Sequence, residues 1–461
     1  MAHNEIEAEV LVVGGGISGL TVAWLLARRG RDVAVIEAAG RPGGTIGSAR
    51  EDGCLVETGP NSTLETSPLI GDLVAQAGLA GQKIYAGPAA KNRFVLRGGV
   101  PIALPLTPPA FLATRLFTWR AKLALLREPF VGRADPAVEE TVAGFVRRRL
   151  GQEFLDYAIN PFVAGVYAGD PQRLSVRAAF PRLAEIEQRY GSLIRGQILG
   201  ARERRRSPEK SKQAAPMLSF RGGMQTLTDA LAGGLQRLTL STAATGIRRE
   251  DSGIWQVSAH SVTAPAEFRA RSLVLAVPAD AAAALLRPLA PVAAAALDAI
   301  PYPPVASVAS VYRREQVGHA LDGFGFLVPE REGRRILGTI FSSTLFENRA
   351  PEGAVLLTTF VGGMRQPDLA LREEGAIAAM VEEELAGLLG IRGAPQSARV
   401  TRWRRAIPQY TLGHLDRMAA IEAAERANPG LYLCANYRGG ISVGDCIKSG
   451  HAMAERIGAA P

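Results

Sequence analysis

The stretch from residue 10 to residue 48, VLVVGGGISGLTVAWLLARRGRDVAVIEAAGRPGGTIGS, constrains the fold more than any other part of the chain. Apolar residues Val10 to Val13 run into Gly14, Gly16 and Gly19 at G-x-G-x-x-G spacing. An apolar helix follows, and a second apolar strand ends on Glu37. Each part has a mechanical purpose: Gly14 permits a tight turn, Gly16 admits a pyrophosphate close to the backbone, and Gly19 lets the helix pack on the strand. Around them Gly15, Ile17 and Ser18 form the helix N-terminus, whose free N–H groups and dipole favour phosphate. Glu37, followed by Ala38, can accept hydrogen bonds from ribose hydroxyls, which disfavours a 2′-phosphate and argues against NADP. A Gly-rich turn with no ligand is the alternative, but strand, helix and terminal acid all fall where a dinucleotide needs them.

The next residues narrow the nucleotide. Arg41, Gly43, Gly44 and Thr45 follow at once, and Glu57, Gly59, Pro60 and Asn61 come soon after. A plain NAD domain would pass directly into another helix. A second Gly-rich turn suits a longer cofactor whose pyrophosphate meets further backbone and an Arg. The run resembles the R-x-G-G-[RT] turn of the FAD-dependent amine-oxidase-like superfamily, which implies FAD. Near the other terminus the apolar run 431–435 leads into Asn436, Gly439, Gly440 and Gly444 and then a helical stretch. An ordinary C-terminal strand–helix unit would read the same. Two Gly-rich strand-to-helix turns in one chain nevertheless suit one long bipartite ligand, so both ends are expected to fold into one unit.

At 461 residues the chain can hold two or three domains. Its 53 basic and 44 acidic residues give a net charge of +9, which favours an anionic partner. No nucleic-acid-binding motif is present. Cys54, Cys434 and Cys446 are too scattered for a disulfide framework or a metal site. The N-terminus lacks a secretory pattern, and no uncharged apolar run reaches about 18 residues. A cytoplasmic protein, peripheral at most on the membrane, is expected.

Segments 68–79 and 373–390 read as helices, and 91–103 as a hairpin turning at Gly98-Gly99. Strands are expected to end near Val277 and to lie around 305–312, 324–328, 336–342 and 355–361. The basic run 195–216 reads as a solvated linker.

At 161–183 the chain reads PFVAGVYAGDPQRLSVRAAFPRL. Further blocks are KNRFVLRGG at 91–99, FRGGMQTL at 220–227, GFGFLVP at 323–329, LGTIFSSTLFENRAP at 337–351, TTFVGG at 358–363, RWRRAIPQYTLGH at 402–414 and NYRGGISVGDCIKSG at 436–450. Together they resemble the protoporphyrinogen oxidase family, in order and over essentially the whole chain. The resemblance implies an α/β fold: a Rossmann-like FAD-binding domain (1–90, 216–285 and 405–461), a mixed-sheet substrate domain (91–103 and 286–404) and an inserted helical membrane-associating domain (104–215). It implies that Arg93 meets a propionate and that Leu327, Ile340 and Phe360 hold pyrrole rings. Gly165 would let backbone approach the substrate, with Phe324 and Gly325 lining it. Val443, in the turn with Asn436, Gly440, Ile441 and Ser442, would meet the flavin. Ala244 stands where the family often has a Val making a backbone contact to adenine. The implied chemistry is hydride transfer from a methylene bridge to flavin N5, repeated three times, with O2 as acceptor.

The residues themselves agree with cofactor chemistry: there is no G-x-S-x-G elbow, no H-E-x-x-H and only five histidines. No acid–base residue is assigned. Arg93 could equally form a surface ion pair, and Leu327, Ile340 and Phe360 could be plain core. Tyr410 and His414 read as structural, and Trp403 as core. Segment 104–130 mixes Leu, Phe and Trp with Arg115, Arg120, Lys122 and Arg127. It suits either an element lying on an anionic membrane or a helix packed on its own domain. Coproporphyrinogen III oxidation is the nearest rival function; a flavin amine oxidase, a carotenoid desaturase or a flavin-binding scaffold stand further off. A homodimer is plausible.

Overall fold

The fold is known from a computed structural model that describes residues 5–200, 209–212, 214–261 and 264–459. Among the described residues two seven-stranded sheets form. The first is built around Glu5–Val13, whose fully apolar run 10–13 is buried on both faces, as parallel strands require. It pairs in parallel with Val33–Ile36 on one side and with Pro265–Leu275 on the other. The strand from the far end of the chain, Leu431–Leu433, pairs in parallel with Pro265–Leu275 on that strand's other edge. Both ends of the chain therefore enter one sheet.

Their helices also meet. Ile17–Arg28 and Val443–Gly458 pack at Gly450, where a Cβ would stand 2.8 Å from Cβ of Thr21. Trp24, Leu26, Ile447 and Ala454 belong to one buried core beside this seam. Burial of such apolar surface is the main stabilising term, since helices in proteins draw most of their stability from tertiary packing of an apolar face.

The second sheet is mixed, in the order Ser397–Trp403, Val305–Arg313, Ala354–Gly362, Gly338–Ile340, Gly325–Leu327, Phe94–Arg97, Val100–Ala103. The last two are the expected hairpin; Gly98 and Gly99 both have positive φ, +62° and +78°, as such a tight turn requires. Glu374–Leu389 covers one face through Ile377, Val381 and Leu385. The edge strand Ser397–Trp403 carries no alternating pattern and is not foreseen in the sequence.

After the hairpin the chain passes into a run of short helices from Pro108–Ala113 to Leu193–Leu199. It is centred on a buried charge cluster. Arg149 reaches Glu128 at 3.0 Å and also pairs with Glu187, and all three side chains are buried. Residues 201–208 of the expected basic linker lie outside the described residues. Its start, 195–199, belongs to the helix Leu193–Leu199, and its end is exposed but tied down, with Lys212 Nζ paired to Asp445 at 3.0 Å.

Candidate cofactor and substrate site

The first Gly-rich turn is held by contacts that leave glycine no substitute at two of its three positions. Gly14 has φ +110°, and a Cβ there would lie 2.5 Å from the Ala276 carbonyl oxygen. At Gly19 it would lie 2.0 Å from the Gly14 carbonyl oxygen. Gly16 differs: its φ of −74° suits any residue, and a Cβ would meet nothing within 4 Å. The protein does not require glycine at 16, whereas a phosphate brought against that backbone would. This open backbone is the observation that fits a dinucleotide to the cradle.

Glu37 is set by two backbone amides, Gly15 N–H at 2.6 Å and Ala39 N–H at 2.8 Å. Ala38 beside it is exposed. The Thr242 amide donates to the Glu37 carbonyl at 2.8 Å, which brings the strand bearing Ala244 alongside. That strand bulges between Ala244 and Gly246.

The second Gly-rich turn closes directly on the first. Gly43 N–H donates to the Gly15 carbonyl at 2.8 Å, and a Cβ on Gly44 would stand 3.3 Å from the Gly16 Cα. Arg41 donates to the carbonyls of Pro42, Ile46 and Gly44 at 3.0, 2.7 and 3.0 Å, so its guanidinium fixes the turn's shape. Gly59 packs so tightly on Thr45 that a Cβ would be 1.9 Å from the Thr45 carbonyl oxygen. Pro60 and Asn61 follow, with Asn61 Nδ2 donating to the Gly59 carbonyl at 3.4 Å.

Just before them, Glu57 pairs with Arg349 at 3.2 Å, both side chains being buried. Ser48 Oγ at 2.5 Å and the Met224 amide at 3.0 Å also bond Glu57, and Arg349 donates to Ser219 Oγ at 2.6 Å. Burial raises the Glu57 carboxyl above its ordinary value even so. This network ties the second turn to the loop that leads into the second-sheet strand Ala354–Gly362. Trp403 is only half-buried and donates from Nε1 to the Thr58 carbonyl at 2.8 Å, a second such tie.

At the far end the last helix starts on Ser442, whose Oγ caps the Asp445 amide at 3.1 Å. The amides of Val443 and Gly444, in its first turn, have no intrahelical acceptor. Asn436, Gly440 and Ile441 form the turn leading in. Beneath it His414 is buried, and desolvation together with Arg417 lowers its imidazole to about 4, against opposing pull from Glu139. A folded value below the ordinary one means that the unfolded chain takes up the proton first. Stability is then complete above pH 6.5 and lost as pH falls towards 4, by about 3 kcal/mol from this group. Chemical denaturation at pH 7 and pH 4.5 should show that loss in the wild type and a smaller one in His414→Gln.

The second sheet presents the substrate residues. Gly338 pairs with Leu327 on one side and with Phe360 on the other, so both side chains stand on one face with no side chain between them. Ile340, two residues along, shares that face. All three are half-buried, whereas the core residues Phe326, Thr339 and Thr359 on the opposite face are buried. Gly325 has φ +139°, and a Cβ would be 2.0 Å from the Thr339 carbonyl oxygen. Gly165, on Asn160–Tyr167, abuts Leu327: a Cβ there would be 2.4 Å from Cδ2 of Leu327. Phe162 and Val166, four residues apart on the same helix, are exposed on one side of it and are not foreseen in the sequence.

Arg93 precedes the strand Phe94–Arg97, its guanidinium 5.7 Å from the Phe324 ring. Its carbonyl accepts the Leu104 amide at 2.7 Å, but its guanidinium makes no hydrogen bond or ion pair among the described residues, and burial lowers it below the ordinary arginine value. Two other arginines are engaged: Arg97 with Glu153 at 2.6 Å, and Arg365 with Asn160 Oδ1 at 3.1 Å and the Val328 carbonyl at 2.8 Å. A desolvated cation without a partner beside an apolar face can receive a carboxylate carried on a large apolar ring.

The two halves meet through shared packing. Leu327 from the sheet face and Ile441 from the far-end turn both lie against a core that includes Val163, Tyr167, Leu174 and Tyr410. The GVYAGDP block docks on the Gly362–Gly363 turn, where the Met364 amide donates to the Ala168 carbonyl at 2.8 Å.

Comparison with known proteins bears on this arrangement. The model of the flavin-containing amine oxidoreductase family matches residues 17–458. The sequence is 34% identical to protoporphyrinogen oxidase 2, chloroplastic/mitochondrial, of Arabidopsis thaliana, over 99% of this chain and 96% of that protein. It is 30% identical to a coproporphyrinogen III oxidase of Propionibacterium freudenreichii, over 97% and 90%. The structure is similar to a crystal structure from Exiguobacterium sp. 255-15, provisionally assigned as a protoporphyrinogen oxidase. The TM-score is 0.82 at 26% identity, and the match covers 98% of both chains.

Proposed function

The chain belongs to the flavin-containing amine oxidoreductase family and groups with its porphyrinogen oxidases, and on that premise we propose that it oxidises protoporphyrinogen IX to protoporphyrin IX, with FAD as cofactor and O2 as acceptor. The observation that carries the substrate is the unpaired Arg93 beside the half-exposed face of Leu327, Ile340 and Phe360. It matches an apolar macrocycle bearing propionates.

Bound FAD would supply a two-electron acceptor, reoxidised by O2 after each of three rounds, so that the six hydrogens lost by the macrocycle would be balanced by three O2 reduced to three hydrogen peroxide. The chain's own residues bind, orient and exclude water. Gly16 and Gly44 open the backbone to the pyrophosphate, and Glu37 accepts from ribose. Thr45, Gly59, Pro60 and Asn61 form the inner wall, and the amides of Ile441 to Val443 meet the flavin. Arg93 holds a propionate, while Leu327, Ile340, Phe360, Phe324 and the Gly165 helix enclose the ring. Residues 1–90, 216–285 and 405–461 make up the FAD-binding part in this reading, and 91–103 with 286–404 the substrate-binding part.

Turnover of protoporphyrinogen IX against coproporphyrinogen III, followed by porphyrin fluorescence, tests the substrate. Faster turnover of protoporphyrinogen is expected, in line with the higher identity to the plant protoporphyrinogen oxidases. The reverse order would favour the coproporphyrinogen reading that the bacterial relative suggests.

We further propose that segment 104–130 rests on an anionic membrane. No helix among the described residues is long and apolar enough to cross one. Trp119 and Phe130 are 62% and 83% exposed, Leu112, Leu123 and Leu126 are exposed with them, and Arg115, Arg120 and Arg127 stand beside them. Lys122 takes no part: it is turned inward and donates to the carbonyls of Leu112 and Thr114, both at 2.7 Å, holding the two short helices together. The protein should sediment with anionic vesicles at low salt, and Leu126→Glu with Phe130→Glu should weaken that at least about tenfold. Equal sedimentation of the double variant would count against the surface.

A further inference from the structure

Two side chains that the reaction leaves unused, Tyr410 and His414, brace the turn that begins the last helix. The Tyr410 hydroxyl donates to the Asn436 carbonyl at 2.7 Å and accepts the Gly440 amide at 3.0 Å, so one oxygen closes both limbs of the turn. His414 stacks on the Tyr410 ring with centroids 4.1 Å apart and planes at 14°. Its Nε2 lies 3.0 Å from the Tyr437 carbonyl, while Nδ1 has no partner, which selects the Nε2–H tautomer as donor. Gly440 has φ +122°, and a Cβ there would be 2.6 Å from Cβ of Asp445, so the turn is confined on its other side too.

Tyr410 is also tied backwards to the substrate side. Its carbonyl accepts the Ser175 amide at 2.8 Å, Thr411 bridges Leu174, and Gln409 Nε2 donates to the Tyr167 carbonyl at 2.7 Å. Tyr167 ends the helix whose Gly165 abuts Leu327. A continuous set of bonds and contacts therefore runs from the apolar sheet face to the far-end turn.

We propose that Tyr410 is a positioning residue for the cofactor: its hydroxyl holds the Asn436–Gly440 turn in the shape that presents the amides of Ile441 to Val443, and His414 fixes the hydroxyl by fixing the ring. This rests on reading the cradle as an FAD site. A phenol suits the task because it donates and accepts through one atom. Burial raises its ionisation well above the ordinary tyrosine value, so the donor proton is retained.

Tyr410→Phe keeps the ring and the stack and removes only the hydroxyl, leaving the Gly440 amide and the Asn436 carbonyl without their partner. The FAD dissociation constant is expected to rise about ten- to a hundred-fold, the visible flavin absorbance to change shape, and the holoprotein to lose more thermal stability than the apoprotein. Thr359→Val removes another buried hydroxyl bond, to Thr339 Oγ1 at 3.0 Å on the opposite face of the second sheet. It should lower the melting midpoint of both forms equally without altering FAD affinity. Tyr410→Phe that binds FAD within about two-fold of wild type, with an unchanged spectrum, overturns the proposal. Wild-type protein that retains no FAD overturns the cradle reading and this proposal with it. Should Tyr410→Phe not fold, His414→Leu keeps the Tyr410 hydroxyl and removes the stacked ring that fixes it, together with the bond to Tyr437. Weaker FAD binding then supports the proposal, and unchanged binding overturns it.

Discussion

Gly16→Val is expected to give a protein that folds and no longer retains FAD, with affinity lower by at least about a hundred-fold. Backbone and surroundings separate this glycine from its neighbours. Residue 16 has φ −74° and ψ 173°, extended values that any amino acid adopts, and a Cβ there touches nothing. The apoprotein should therefore melt near the wild-type midpoint. Only a ligand brought against the backbone would collide with the new side chain. Gly19→Ala gives the contrast, because its Cβ would sit 2.0 Å from the Gly14 carbonyl oxygen, between two parts of the backbone that cannot yield. That variant should lose folding itself. Equal FAD content in Gly16→Val and wild type would mean that no phosphate approaches this turn.

Arg93→Ala is expected to raise KM for protoporphyrinogen IX by about ten- to a hundred-fold, the worth of one or two charge-assisted hydrogen bonds. FAD content and melting midpoint should stay near wild type. Removing one member of a buried ion pair is strongly destabilising because it strands the other charge. Arg93 has no such partner among the described residues, so its removal strands nothing and relieves a desolvated cation. Arg93→Lys should recover part of the loss, since an ammonium keeps the charge without the planar fork. An unchanged KM would remove the propionate role. The opposite pattern is expected at Arg349, whose replacement strands buried Glu57 and should cost stability first.

What could be read from the sequence follows from how local each signal is. The Gly14–Gly19 turn, the Gly98–Gly99 hairpin and the far-end strand and helix each show their period and breakers within about 15 residues, and each stands where expected. The strand Ser397–Trp403 does not, because an edge strand carrying Arg399 and Arg402 shows no buried alternation. The helix His414–Ala427 lies in a stretch so rich in charge and alanine that no apolar stripe marks it. Partners far apart in the chain leave no local trace at all. Glu57 and Arg349 are separated by 292 residues, and nothing at either position announces the other. The same holds for the Tyr410 hydroxyl and the Asn436–Gly440 turn, which is why Tyr410 reads as merely structural until the backbone is in view. Lys122 shows the converse: among surface cations in sequence, it is an internal cap in the fold.

The central claim, that both ends of this chain build one FAD site opening on a porphyrinogen-binding sheet, is tested most directly by mixing the oxidised holoprotein with protoporphyrinogen IX in the absence of oxygen. The flavin absorbance should bleach, porphyrin fluorescence should appear, and admitting O2 should restore the absorbance with release of peroxide. Flavin that stays oxidised with protoporphyrinogen IX and with coproporphyrinogen III, but is bleached by a simple amine, would contradict the account.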